Sequence, residues 1–133
     1  MTTQVPVELT LLVAAVVIGL VQIVWASAAG SGQRELSWLL GPRDEAMPVA
    51  GVAGRLDRAL KNFVETFPLF AAAVIAATLA DKLGPLTLWG AGLYVAGRAL
   101  YVPLYASGVS GIRTLVWTVS IVGILMVVIA FFR

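Results

Sequence analysis

Two polar stripes in an otherwise apolar chain carry the residues able to do chemistry. The first runs Arg55, Arg58, Lys61, Asn62 and Glu65. At about 100° per helical residue these five fall within an arc of about 120°. The second runs Tyr94, Arg98, Tyr101 and Tyr105 and is about 60° wide by the same geometry. Arg113 follows one short Gly/Ser loop later. Arg58, Lys61, Arg98 and Arg113 set four cations against Glu65, with Asp57 at the edge. Such an excess in a partly dry site calls for an anion, and guanidinium groups suit carboxylates through paired hydrogen bonds.

Much other chemistry is excluded. The 133 residues include no Cys and no His, so there is no disulfide, no thiolate nucleophile, no zinc–thiolate site and no imidazole base. No metal is expected. Any reaction must use Arg, Lys, Tyr, Ser/Thr, carboxylates and a borrowed reagent. A net charge of +2 spread along the chain gives no polybasic surface and no nucleic-acid partner.

The elements that hold these stripes are membrane spans. Apolar residues make up 60% and charged residues 12% of the chain, against roughly a quarter charged in an average soluble domain. A chain this short cannot bury so much apolar surface in its own core, so lipid is the expected solvent. Four segments approach the ~20 residues that cross a hydrocarbon core, at about 9–29, 58–80, 86–105 and 113–132. The reading is an all-α integral membrane protein, a four-transmembrane-helix bundle forming a single domain over 1–133. Glu8 opens the first span without a basic leader, so it is read as retained. The segment from Gly30 to Gly54 is long, mixed in charge and interrupted by Pro42 and Pro48, as functional loops often are. Small residues at four-residue spacing, Ala72-Ala76-Ala80 and Gly92-Ala96, permit close helix approach within or between chains.

Arg34, Arg43, Arg55, Arg58, Lys61 and Arg113 fall on one side of these spans, and Lys82 and Arg133 on the other. By the positive-inside rule the long first loop is cytoplasmic and both termini are outside. Antiparallel neighbours then set the two stripes opposite each other near the cytoplasmic end, level with Arg113. Plainer readings stand beside the functional one. Glu65 and Arg98 are expected to pair and lock two helices, since an unpaired charge at membrane depth costs at least ~2.5–3.5 kcal/mol. Arg34 and Arg55 are read as snorkelling to headgroups. Tyr101 and Tyr105 suit either interfacial anchoring or ligand contact, and the Pro103 kink between them turns both towards the bundle.

Arg55-x-x-Arg58-Ala59-x-x-Asn62-x-x-Glu65-x-x-Pro68 resembles the second-helix signature of the MAPEG family, the membrane-associated proteins in eicosanoid and glutathione metabolism. Arg98-x-x-Tyr101-x-x-x-Tyr105 followed by Arg113 is similar to that family's third-helix end and fourth-helix start. Gly41-Pro42-Arg43-Asp44-Glu45 is similar to its first cytoplasmic loop. The resemblance implies a homotrimer in a bacterial inner membrane, with glutathione bound as co-substrate between neighbouring chains on the cytoplasmic side. It implies that Asn62, Glu65 and Lys61 hold the glutathione backbone, that Arg98 braces Glu65, and that Tyr105 flanks the ligand. Arg58 and Tyr101 complete the implied binding set, with Arg34 or Arg43 as a loop contact. Arg113 is implied to lie beside the sulfur and stabilise the thiolate. The implied activity is glutathione transfer to, or peroxidase reduction of, a lipophilic small molecule. Lys61 departs from the pattern, standing where the best-studied enzymes have Arg. The expectations from other classes are a four-span transporter or channel for an anion and a non-catalytic lipid-binding trimer.

Overall fold

The computed structural model describes residues 3–133, all helix and connections, with no strand among them. The order is α1 (Val7–Ser31), α2 (Leu36–Leu40), α3 (Gly51–Leu79), α4 (Pro85–Ala106) and α5 (Gly111–Phe131). α1, α3 and α5 are long and apolar enough to cross a membrane. α4 is of comparable length, but its glycines, tyrosines, prolines and Arg98 leave it without a continuous stretch as apolar as the best one in each of these three. α3 begins seven residues before the expected start of its span at Arg58. Ala50 leads into it and the charged stretch 55–61 is helical. The long loop also holds one short helix, α2, that its proline spacing did not announce.

Each helix buries a narrow face. On α1 this face is Glu8, Ala15, Gly19, Gln22 and Gly30, with valines and leucines pointing outward around the remainder. That outward surface has no aqueous rationale and suits lipid. On α3 the buried face is Ala59, Phe63, Thr66, Phe70, Val74 and Ala77, spaced three and four apart. The core joins Phe70, Val74 and Ala77 to Ala15, Ala91, Tyr94, Ile124 and Val127. Phe70 stacks on Tyr94 at 4.0 Å between ring centres, and the Tyr94 hydroxyl meets Thr66 Oγ1 at 3.0 Å.

α4 and α5 share the most extensive contact in the bundle. Glycine permits it: a Cβ on Gly123 would lie 2.5 Å from the Gly90 carbonyl oxygen, and one on Gly97 would lie 2.4 Å from Ser120 Oγ. The small-residue rows expected to serve close approach do not form this seam. Ala72, Ala76, Ala80 and Ala96 are exposed, and Gly92 has open space beside it. The turn between α4 and α5 passes through Gly108 at φ +83°, a left-handed conformation that glycine adopts freely.

Candidate functional site

Antiparallel packing of α3 on α4 brings the two polar stripes together at the loop end of the bundle. Arg55 Nε donates to the Ala106 carbonyl at 2.9 Å, Arg58 Nε to the Tyr105 hydroxyl at 3.1 Å, and Arg98 Nη1 to Asn62 Oδ1 at 2.7 Å. The first of these satisfies a carbonyl at the α4 C-terminus, where cations also complement the helix dipole. Arg55, read from sequence as a snorkelling residue, is therefore tied to the neighbouring helix.

Around these contacts lies a cleft of about 230 Å³ lined by Asn62, Tyr101, Tyr105, Arg113, Thr114 and Trp117. Within that lining, Tyr105 touches both arginines and the second tyrosine. The Arg113 guanidinium lies 4.5 Å from its ring centre, the Arg58 guanidinium 5.8 Å away, and Tyr101 tilts against it at 5.5 Å. Arg98 lies behind Asn62, fully buried, with its guanidinium 4.3 Å from the Tyr101 ring centre. Its Nε and Nη2 are buried without a hydrogen-bond partner. A buried charge with one neutral partner is costly, and an approaching anion lowers that cost.

The expected Glu65–Arg98 pair does not form within the chain. Glu65 is exposed, Arg98 donates to Asn62, and the one ion pair among the described residues joins Lys61 to Asp57 at 3.3 Å. Helix geometry explains this. Asn62 lies about 40° round α3 from the buried Thr66, Glu65 about 100° and Lys61 about 140°. The stripe read as one face is therefore split. Asn62 faces α4, while Glu65 and Lys61 face outward.

A second cleft of about 460 Å³ lies between the long loop and the start of α3, lined by Arg34, Trp38, Asp57, Arg58 and Lys61 among others. Trp38 organises the loop. Its Nε1 donates to the Glu45 carbonyl at 2.7 Å, and the Arg34 and Arg43 guanidinium groups lie 4.9 Å and 5.2 Å from its ring centre. Arg34 Nε donates to the Met47 carbonyl at 2.9 Å and the side chain reaches this cleft. Arg43 donates to the Leu39 carbonyl and lines neither cleft.

Among the sequence-derived site residues, Asn62, Tyr101, Tyr105 and Arg113 share the first cleft, with Arg98 behind it. Arg58 and Lys61 line the second, Arg58 touching both through Tyr105, and Glu65 lines neither. Thr114 was not singled out, and Trp117 was read only as a candidate interfacial anchor with no site role. The signal for Trp117 was available, since a residue four positions after Arg113 shares its side of α5, whereas Thr114 lies about 100° round the helix.

No curated protein and no solved structure matches the chain. The MAPEG family profile matches residues 11–133, nearly the whole length, and three helices are long and apolar enough to cross a bilayer. The chain is an integral membrane protein and belongs to the MAPEG family.

Proposed function

We propose that this protein binds glutathione in the Arg113 cleft and uses it as co-substrate in a transferase or peroxidase acting on lipophilic molecules. The observation that carries the reading is a cation-rich cleft with a missing counter-charge. Arg113 lines it, Arg58 reaches it through Tyr105 and Arg98 lies behind Asn62; among the described residues no carboxylate lies within 4.0 Å of any of the three, and two Arg98 nitrogens are buried and unpaired. A ligand with carboxylates fits that donor set, and family membership makes glutathione the first choice.

Glutathione supplies the thiol, for attack on an electrophile or reduction of a hydroperoxide. Asn62, Tyr101 and Tyr105 supply hydrogen-bonding groups that orient the ligand. The Arg113 guanidinium, held over the Tyr105 ring, favours the ionised form of a thiol placed beside it. Lowering a thiol pKa from about 8.5 by two units takes about 2.7 kcal/mol of differential stabilisation. One guanidinium in a partly dry cleft is of the right order.

The outward face of α3 supports assembly as a homotrimer. Glu65 and Lys61 stand on it beside the exposed Ala72 and Ala76, and polar groups at membrane depth are covered by protein. In this reading a neighbouring chain covers that face and completes the site with Glu65, Lys61 and Arg34. α4 crosses with the other three helices, and the loop end faces the cytoplasm of a bacterial inner membrane.

Thermal stability of the detergent-purified protein across a glutathione titration tests this directly. A ligand specific for the folded state adds about 2.7 kcal/mol at one hundred times its dissociation constant. The expected result is a saturable rise that disappears in a folded Asn62→Ala/Arg113→Ala variant. No rise at millimolar glutathione, with a rise on adding anionic lipid, replaces the enzyme by a lipid-binding trimer.

A further inference from the structure

The second cleft, between the long loop and the start of α3, holds two cationic forks that the chain leaves unused. Arg34 and Arg58 each spend Nε on the chain, on the Met47 carbonyl and the Tyr105 hydroxyl, and their Nη nitrogens make no hydrogen bond to the described residues. Both side chains line this cleft, and Arg58 Nη1 lies 3.4 Å from where a Cβ on Gly54, in the same wall, would stand. Lys61 lines it too, but is paired with Asp57, the one carboxylate among the lining residues. Two guanidinium charges therefore remain uncompensated. A fork already held by its Nε loses less freedom on binding, and paired N–H groups match the oxygens of a phosphate.

The position of the cleft indicates where such a phosphate comes from. α3 has 29 residues and is about 44 Å long, against a hydrocarbon core of about 30 Å, so its charged first turns stand at headgroup level. The same loop exposes Leu36 and Leu40 of α2, and Met47, Pro48 and Val49 give the cleft an apolar side. An anionic head with a hydrocarbon tail is the complement of that surface. A zwitterionic head suits it less, because the wall has no free carboxylate for its ammonium group.

We infer that this cleft binds the phosphate of an anionic phospholipid between Arg34 and Arg58, with the acyl chains in the bilayer beside α2. Within the chain the two clefts share no lining residue, and lipid binding here does not require glutathione to bind.

The test is native mass spectrometry of the whole protein released from detergent micelles that contain equal amounts of a phosphatidylglycerol and a phosphatidylcholine with the same chains. Wild type is expected to retain the phosphatidylglycerol at least about tenfold over the phosphatidylcholine. Arg34→Gln lowers that retention about tenfold, the loss of a charged hydrogen-bonded contact. Arg34→Lys keeps the charge and a donor for the Met47 carbonyl but loses the fork, so it lowers retention about threefold with the loop still held. Arg43→Gln removes the same charge from the same loop at a residue that lines neither cleft, and changes retention by no more than about twofold. Equal losses in Arg34→Gln and Arg43→Gln mean that the loop attracts anionic lipid by its net charge alone, and overturn the site. Loss of retention in Arg113→Ala also overturns it, because the lipid then sits in the first cleft. So does displacement of the retained lipid by millimolar inorganic phosphate, which makes a soluble anion the ligand.

Discussion

The two ends of the bundle each bury one charged side chain and treat it differently. At the end near the termini, Glu8 is 6% exposed and accepts a 2.7 Å hydrogen bond from Thr87 Oγ1, and no buried oxygen of Glu8 is left without a partner. Thr87 in turn accepts from the Gly84 amide at the start of α4. That end is closed on itself, and its carboxylate fastens α1 to α4. At the loop end Arg98 is wholly buried, makes one hydrogen bond to a neutral amide, and leaves two nitrogens unpaired beside a cleft. A buried charge that is locally satisfied reads as structure. One that is left short reads as a site awaiting its counter-charge.

Four substitutions sharpen or break this contrast. Arg113→Ala is expected to reduce glutathione conjugation to a lipophilic electrophile about 100-fold, the kinetic equivalent of about 2.7 kcal/mol, with a much smaller change in glutathione affinity. Equal losses in rate and affinity make Arg113 a binding residue only. Arg98→Met is expected to raise ligand-free stability by about 2 kcal/mol, because removing a poorly compensated buried ion is often favourable. It also abolishes the glutathione-dependent rise in melting temperature. A fall in ligand-free stability means that the chain itself satisfies Arg98 and the contrast fails. At the closed end, Glu8→Ala is expected to cost about 1.5 kcal/mol through its lost charged hydrogen bond, and glutathione affinity stays unchanged. A linked loss of affinity shows that the two ends communicate. Smallest of all, Lys61→Ala removes an exposed ion pair with Asp57 and shifts ligand-free stability by no more than about 0.5 kcal/mol. Its effect on glutathione affinity in the assembled protein tells whether the outward α3 face takes part in binding.

Much of the helical layout was legible in the sequence because long apolar segments have few alternatives in length and type. Family membership was legible in the spacing of Arg58, Asn62, Glu65 and Pro68, and the profile match over 11–133 agrees with it. The direction in which each polar side chain points was harder to read. An arc of about 120° is wide enough to straddle the edge of a helix face. Only the packing of Ala59, Phe63 and Thr66 settles that Asn62 turns inward and Glu65 outward. Opposite charges on facing helices suggested a Glu65–Arg98 pair, whereas Asn62, one turn from Thr66, was better placed to reach Arg98. The α4–α5 seam escaped notice for a related reason. Gly90, Gly97 and Gly123 belong to two helices, and their complementarity exists only once the helices meet.

That seam has a mechanical consequence. With backbone against backbone at Gly90 and Gly123, α4 and α5 have no side-chain layer through which to slide, so they behave as one rigid body. Tyr101, Tyr105, Arg113, Thr114 and Trp117 all ride on that body, and Asn62 on α3 is the sole lining residue that does not. Any widening of the cleft therefore falls to α3, moving against a block that keeps the arginine and the two tyrosines at fixed spacing.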